Sequence, residues 1–263
     1  MTRKLLGILL FYALCMPLTA QDLKHKMDSL ALSVSRTVQM EDGTADTVSC
    51  SRYHHFIWFD ETSETAKKLN QQLYESLSEK PLESVAELKE ILTADFNDWA
   101  EEWQSQFVAE DSSPIDFSFN LNWYEEIYTG ITHQTSSLIC TYQSVDGFYG
   151  GAHPIGSSSH QVYKLPEAEQ VQNWQDLFTD TLQILKMAEE SFRKDKGLSP
   201  KTKLEDAGYW FNNNRFHLTN NFGLDADGIF FLFNAYEVAS YAEGPIYISV
   251  PYARLKKYLK KPL

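Results

Sequence analysis

Hydrophobic and polar residues alternate with a period of two through much of the second half of the chain. In residues 115–123, sequence IDFSFNLNW, every apolar side chain would lie on one face of a strand and every polar one on the other. Shorter runs of the same type follow, separated by turn residues. The pattern predicts strands at 54–59, 115–123, 124–133, 135–144, 157–163, 215–219, 228–233 and 245–250.

Apolar residues recur at helical spacing in the first half and again near residue 185. A first helix follows the acidic segment 60–64 and ends before Pro81, and a second begins at Ser84. We interpret the aromatic stripe of the second helix as core and not as a ligand-binding box, because it repeats at three and four positions. Its members are Leu88, Ile91, Leu92, Phe96, Trp99, Trp103 and Phe107. A third helix is expected at 176–193, and a short cationic one at 252–260.

Groups of strands with helices between the groups predict an α+β fold with antiparallel sheets, not a doubly wound sheet. In the middle of the chain, the segment with the least tendency to form a helix or strand is 110–114, sequence EDSSP. We therefore expect two closely joined subdomains, at residues 21–113 and 114–263, behind a leader at residues 1–20.

The leader has the pattern of a cleavable secretory signal. Arg3 and Lys4 precede an apolar run, and Ala20 is the expected last residue removed. The run is shorter than the ~20 residues that a membrane helix needs, and no later segment is long and apolar enough to span a bilayer. We expect a periplasmic or secreted protein, with a lipoprotein anchored through Cys15 as the alternative.

The charge balance argues against nucleic acid as a partner. The chain has 23 basic and 36 acidic residues, and removing Arg3 and Lys4 leaves 21 minus 36, a formal charge of −15. Phosphate backbones would be repelled. The acidity is typical of a soluble exported protein, and a basic protein partner remains allowed.

Two cysteines remain after the leader, Cys50 and Cys140, and both lie in strand-like runs. In an oxidising compartment we expect them to form a disulfide across the two halves of the chain. Cys50 as a nucleophile, with His54 and His55 nearby, is the alternative, but the sequence shows no base and orienting group beside it.

The stretch GFYGGAHP at residues 147–154 combines glycines with aromatic side chains and His153. A turn locked by hydrogen bonds is the preferred interpretation, because glycines allow positive φ and close approach. A binding surface, a metal ligand and a general base are the alternatives. The other histidines lack zinc-site spacing, so no metal and no cofactor is expected.

A tyrosine-rich run near the C-terminus, with Tyr236, Tyr241 and Tyr247, would present an aromatic face to a protein or saccharide or would complete a core. We expect Tyr149 and His153 to lie beside it. The candidate binding residues are Tyr149, His153, Tyr236 and Tyr241. The candidate structural residues are Gly150, Gly151, Gly244, Cys50 and Cys140.

The motifs YGGAHP at 149–154, NWQDLF at 173–178 and GIFFLFNAYEVASYAEGPIYISVPYARLKKYL at 228–259 resemble a bacterial extracytoplasmic domain of unknown function, DUF3298. That domain forms the sensor half of anti-sigma-V factors (RsiV-like) and accompanies some peptidoglycan deacetylases. Residues 46–106 resemble the half that precedes it in the deacetylases (PdaC-like).

The resemblance implies a fold and an envelope-side role, and it does not imply an activity. The metal-dependent domain of the deacetylases carries an Asp-Asp pair and a His-x-x-x-His set, and this chain shows neither. We therefore expect an exported, non-catalytic binding or sensor module that recognises an envelope-associated protein or a cell-wall glycan. The alternative is an enzyme that modifies cell-wall polysaccharide.

Overall fold

The computed structural model describes residues 23–39, 43–78, 80–107 and 121–260. These residues form an α+β fold with two separate β-sheets, which confirms the predicted class. The predicted leader, Cys15, the predicted boundary at residue 113 and most of the predicted strand 115–123 lie outside the described residues.

The larger sheet has six strands in chain order. They are β1 (His25–Gln39), β2 (Ala45–Phe59), β3 (Trp123–Gln134), β4 (Leu138–Phe148), β5 (Ile155–Lys164) and β6 (Glu169–Gln170). The smaller sheet contains β7 (Phe222–Leu224), β8 (Gly228–Phe233) and β9 (Ile246–Pro251). The α-helices of the described residues are α1 (Glu64–Leu73), α2 (Val85–Ser105), α3 (Thr181–Asp195) and α4 (Tyr252–Leu255).

The pairing of β2 with β3 joins the two predicted halves of the chain. These two strands run parallel, and every other neighbouring pair is antiparallel. A parallel pair needs a crossover connection, and the chain between them includes α1 and α2. One continuous sheet therefore extends from the first half into the second.

Helix α2 covers one face of β1 and β2, as its apolar stripe predicts. It starts at the N-cap Ser84, whose side chain accepts a hydrogen bond from the Glu87 backbone N–H at 3.2 Å. Glu87 Oε2 accepts one from the Glu83 backbone N–H at 2.8 Å. Phe96 and Trp103 pack with buried residues of the sheet in one hydrophobic cluster, which confirms that the stripe is core.

Helix α3 packs with the smaller sheet in the largest hydrophobic cluster. Phe192 is 1 % exposed and contacts Tyr209, Phe211 and Phe216. Leu138 and Cys140 of β4 belong to the same cluster, so the smaller sheet is packed on one end of the larger one.

The prediction of a strand at 215–219 is wrong. Those residues form an irregular segment after Asn213 and Asn214, which both have positive φ. The alternation of Phe216 and Leu218 arises because the segment packs both side chains against the α3 cluster without pairing its backbone in a sheet.

The predicted disulfide is also wrong, because the strand register separates the two cysteines. Cys50 lies beside Trp123 and Cys140 beside His133, at opposite ends of β3. Residues 123 and 133 are about 30 Å apart along a strand, whereas a disulfide needs Cα atoms within about 7 Å. Both thiols are free and buried.

Across the described ranges, no helix has both the length and the apolar character needed to cross a bilayer.

Candidate functional site

An open groove lies where the smaller sheet meets the larger one. It has a volume of about 590 Å³. Its floor is formed by residues of β3, β4 and the start of β5, and its wall by the end of β8, residues 234–235 and 241–245, and Tyr247 of β9. The residues that line it include Glu126, Tyr128, Ser144, Asp146, Ser158, Asn234, Tyr241, Glu243, Gly244 and Tyr247.

The floor is polar because the smaller sheet covers only part of this face. On β4, Leu138 and Cys140 lie under the smaller sheet, whereas Ser144 and Asp146 are past its edge. The β3–β4 register sets Glu126 directly opposite Asp146. Two carboxylates therefore stand side by side in the groove, since opposed residues of an antiparallel pair project to the same face.

Aromatic rings continue the floor toward β2. The Tyr128 ring stacks on the His55 ring at a centroid distance of 4.6 Å, and His55 contacts Tyr53 edge-on at 4.3 Å. The Tyr128 hydroxyl donates to Glu126 Oε2 at 3.1 Å, and this bond raises the pKa of Tyr128. The groove thus opens onto a wider surface of tyrosine, histidine and carboxylate side chains.

Two asparagine side chains attach the wall to the floor. Asn234 accepts a hydrogen bond from the Ser158 backbone N–H at 2.8 Å and donates one to its carbonyl at 3.1 Å. Asn221 also donates to the Ser158 carbonyl, at 2.7 Å, and accepts from the His160 backbone N–H at 2.9 Å. We call Asn221 and Asn234 the asparagine clamp.

Three of the four predicted binding residues lie together at the edge of the groove, where His153 and Tyr236 pack beside Tyr241, which lines it. The His153 and Tyr241 rings stack at 4.1 Å, and Tyr236 lies 5.5 Å from Tyr241 and 6.4 Å from His153. The Tyr241 hydroxyl donates to the Pro154 carbonyl at 2.8 Å. We call His153, Tyr236 and Tyr241 the aromatic rim.

The rim is exposed to solvent. Tyr236 is 57 % exposed, and Tyr247, which lines the groove, is 52 % exposed. Tyr236 also has a φ of 69°, which side chains with a Cβ rarely adopt. Exposed clustered rings of this type are typical of interaction surfaces.

Tyr149, the fourth predicted binding residue, lies on the α2 side of the sheet. Its hydroxyl donates to Glu125 Oε1 at 2.5 Å, and its ring contacts Trp99 and Trp123. Burial, together with the bond to Glu125, raises the pKa of Tyr149. The expectation that Tyr149 lies beside the C-terminal tyrosines is wrong, because it packs against Trp99 of α2 and the start of β3.

Glu125 also pairs with Arg52, a buried cation that is 8 % exposed. Arg52 forms a second ion pair with Asp95 of α2 and lies 4.6 Å above the Trp99 ring. This cluster ties β2, β3 and α2 together beneath the sheet. It therefore explains Tyr149 as a structural residue.

Of the three predicted structural glycines, two have a backbone that requires glycine. Gly150 has a φ of 81° and Gly244 a φ of 68°. The same argument fails for Gly151, which has no positive φ, and a Cβ added there would meet no atom within 4 Å. The expectation that Gly151 admits a close approach is therefore corrected.

The residues of the floor do not stand out in the sequence as a group. Glu126, Tyr128 and Ser144 carry no motif, and their common face follows only from the β3–β4 register. Asp146 was one of many carboxylates in an acidic chain. Among the described residues, no three His, Cys, Asp or Glu side chains are grouped so that they could hold a metal ion.

The fold and groove define a two-sheet α+β protein that is similar to solved structures of DUF3298 proteins. One, from Bacteroides fragilis NCTC 9343, has 21 % identity and a TM-score of 0.70, covering 89 % of this chain and 94 % of that one. Another, from Pseudomonas aeruginosa PAO1, has 14 % identity and a TM-score of 0.53, covering 89 % and 95 %. At these identities the likeness concerns the fold alone.

Within the chain, residues 175–253 match the family described as "Protein of unknown function (DUF3298)". No curated protein matches. The match includes α3, the smaller sheet, Tyr236 and Tyr241, and it confirms the resemblance at that level. The closer resemblance to anti-sigma-V factors and to the preceding half of the deacetylases stays a prediction.

Proposed function

We propose that the protein is an exported, non-catalytic binding or sensor module of the bacterial envelope. Its ligand is an envelope-associated protein, with a cell-wall glycan ranked second, and the groove is the binding site. The leader pattern in residues 1–20 supports export. The observation that carries the proposal is the exposed aromatic rim beside Tyr247, at the mouth of a groove with an acidic floor.

The chemistry of the groove suits recognition. Tyrosine rings offer a large contact area with few rotatable bonds, and their hydroxyls give direction. Glu126 and Asp146 on the floor would attract a basic partner, which agrees with the acidic charge of the whole chain. The groove is open, so it would accept a protruding loop or a saccharide chain.

The test is capture from envelope extract by the immobilised protein, with identification of the captured protein and competition by soluble peptidoglycan fragments. We expect Tyr236→Gly and Tyr247→Ala to lose capture, because Tyr247 lines the groove and Tyr236 packs beside Tyr241 at its edge. Tyr236→Gly should melt close to the parent, since glycine relieves the positive φ but adds freedom to the unfolded chain.

The matched control is Trp210→Ala, which removes an exposed ring that does not line the groove. Its capture should equal that of the parent. Equal capture by the parent and both groove variants would refute the groove as the binding site. Competition by the fragments would identify a glycan ligand in place of a protein.

A second candidate function is hydrolysis of a cell-wall polysaccharide, favoured by the direct opposition of Glu126 and Asp146. Paired carboxylates supply the acid and the base or nucleophile of such reactions. Incubation with peptidoglycan would then release reducing ends, and Glu126→Gln and Asp146→Asn would abolish the release. Release by the parent that both variants lack would overturn the non-catalytic proposal.

A further inference from the structure

Strand β1 forms one edge of the larger sheet, and within the described residues no strand pairs with its outer side. It is 15 residues long, and its central part, SLALSVS at residues 29–35, has neither charge nor proline. Long edges without such protection are pairing surfaces, because their outward N–H and C=O groups have no strand partner.

The backbone groups that point outward belong to the odd-numbered residues. The Asp60 N–H donates to the Lys24 carbonyl at 2.9 Å, and residues 24 and 60 continue the β1–β2 register. In an antiparallel pair, alternate residues exchange both hydrogen bonds with the partner strand. The even residues of β1 therefore bond to β2, and the odd residues present N–H and C=O to the free edge.

We propose that two copies of this chain associate through β1, pairing the strands antiparallel about a twofold axis at Leu32. Residue 32 is the midpoint of His25–Gln39, so the two strands overlap along their whole length. The odd residues would bond across the edge, and Leu32 would face its own copy. The six-stranded sheets would then form one continuous sheet.

Charge complementarity selects this register. With Leu32 on the axis, Asp28 of each copy lies opposite Arg36 of the other. Asp28 already pairs with Lys89 of α2 at 2.9 Å, so Arg36 would join an existing ion pair. Centring on residue 31 would place Lys26 opposite Arg36, two like charges. Centring on residue 33 would place Arg36 opposite Leu30 and leave Asp28 opposite Val38.

Apolar packing supports the same register. Leu30, Leu32 and Val34 are half-buried and share the α2 face of the sheet. In the proposed pair, Leu30 lies opposite Val34 of the second copy, so the layer beneath α2 would continue across the axis. The other face carries small residues, Ser29, Ala31, Ser33 and Ser35, which leave room for close approach.

The first test is the mass of the protein in solution, measured by light scattering on the protein produced from the full-length chain at physiological ionic strength. We expect a dimer for the parent. Ser33→Pro should give a monomer with an unchanged circular dichroism spectrum, because it removes an outward N–H without touching the β1–β2 ladder. A parent that is monomeric at all concentrations, or a dimeric Ser33→Pro protein, would overturn the proposal.

The second test probes the register. Arg36→Asp should raise the dissociation constant of the dimer roughly tenfold or more, because it sets like charges opposite at two symmetric places. Arg36→Lys, the matched control, should stay close to the parent. Equal dimerisation of both variants would refute the register.

A third test uses Leu32→Cys under mild oxidation. Opposed non-bonded residues of antiparallel strands have Cα atoms about 4.5 Å apart, which suits a disulfide. We expect a covalent dimer from Leu32→Cys. Ala31→Cys should give little covalent dimer, because residue 31 would lie opposite Ser33 of the other copy. Equal cross-linking at both positions would contradict the axis at Leu32.

Discussion

At the residue scale, one buried cation, Arg52, holds β2, β3 and α2 together on the α2 side of the larger sheet. Arg52 is surrounded by Glu125, Asp95 and the Trp99 ring, and Tyr149 completes the cluster from the loop after β4. A buried cation is costly unless carboxylates compensate for its lost hydration. The cluster therefore stabilises the fold only while all its members are present.

We expect Arg52→Met to lower the free energy of unfolding by about 3 kcal/mol or more, because it leaves Glu125 buried without its cation. Tyr149→Phe should cost about 1 to 3 kcal/mol, the usual loss for a hydrogen bond to a charged group. Urea unfolding measures both. Capture by the groove should not change in either folded variant, and its loss in Tyr149→Phe would restore that residue to the binding site.

His54 gives the stability of the protein a dependence on pH. It is 5 % exposed, and burial lowers its pKa to about 4, with the Arg52 charge as a further cause. The unfolded chain, with an ordinary histidine pKa of about 6.5, binds the proton more readily. The contribution of neutral His54 is therefore complete above about pH 6.5 and is lost as the pH falls from there toward 4.

Urea unfolding at a series of pH values should show this loss, amounting to at most about 3 kcal/mol between pH 6.5 and 4. His54→Leu should flatten the profile in that window, because it removes the titrating ring. The exposed His25 serves as control, and His25→Gln should keep the slope of the parent. An identical slope in His54→Leu would assign the effect to other groups.

At the scale of elements, the start of α2 at the N-cap Ser84 was predicted correctly, whereas α3 begins at Thr181 and not at residue 176 as predicted. Ser84 accepts a hydrogen bond from the Glu87 backbone N–H in the first turn of α2, and Glu87 accepts one from the Glu83 backbone N–H just before the helix. Both bonds are local, so the sequence itself contains the signal. Replacing the cap should therefore have a local cost that does not depend on the rest of the fold.

Ser84→Ala should lower the free energy of unfolding by about 1 kcal/mol. Ser105→Ala, at the exposed end of the same helix, should change it by less than about 0.5 kcal/mol. Thermal or urea unfolding of the two variants measures both changes in the free energy of unfolding. Equal effects would mean that the capping bonds of Ser84 contribute nothing measurable.

Elements that depend on distant pairing were harder to predict. Strand β8 was predicted with its observed bounds, 228–233, because it is an apolar run buried on all sides. Strand β1 was not predicted, although leucine, valine and serine alternate over residues 29–35 as they do in the predicted strands. The segment 215–219 was wrongly predicted as a strand because its two apolar side chains, which enter the core from a loop, alternate with polar ones as in a strand.

At the scale of the whole molecule, the parallel pairing of β2 and β3 is what the sequence could not reveal. Two cysteines in strands of a chain predicted to be exported suggested a bridge, yet this register places them at opposite ends of β3. The groove could not be predicted either, because it also depends on strand pairing. The motifs predicted the rim residues, whereas the floor residues come together only through the register of β3 and β4.

The two thiols should be inert in the folded protein and free in the unfolded one. Burial raises the pKa of Cys50 to about 12 and also raises that of Cys140, so little thiolate is available. Iodoacetamide should label neither cysteine in native buffer and both in denaturant without reductant, as counted by mass spectrometry. No labelling of these two in denaturant would indicate a disulfide.

The asparagine clamp has a consequence for how quickly a ligand can be bound. Because Asn221 and Asn234 bond to the backbone of β5, the width of the groove is fixed before any ligand arrives. A preorganised cleft loses little conformational entropy on association and has no slow closing step. Association should then follow a single phase whose rate rises linearly with ligand concentration, while dissociation alone distinguishes strong ligands from weak ones.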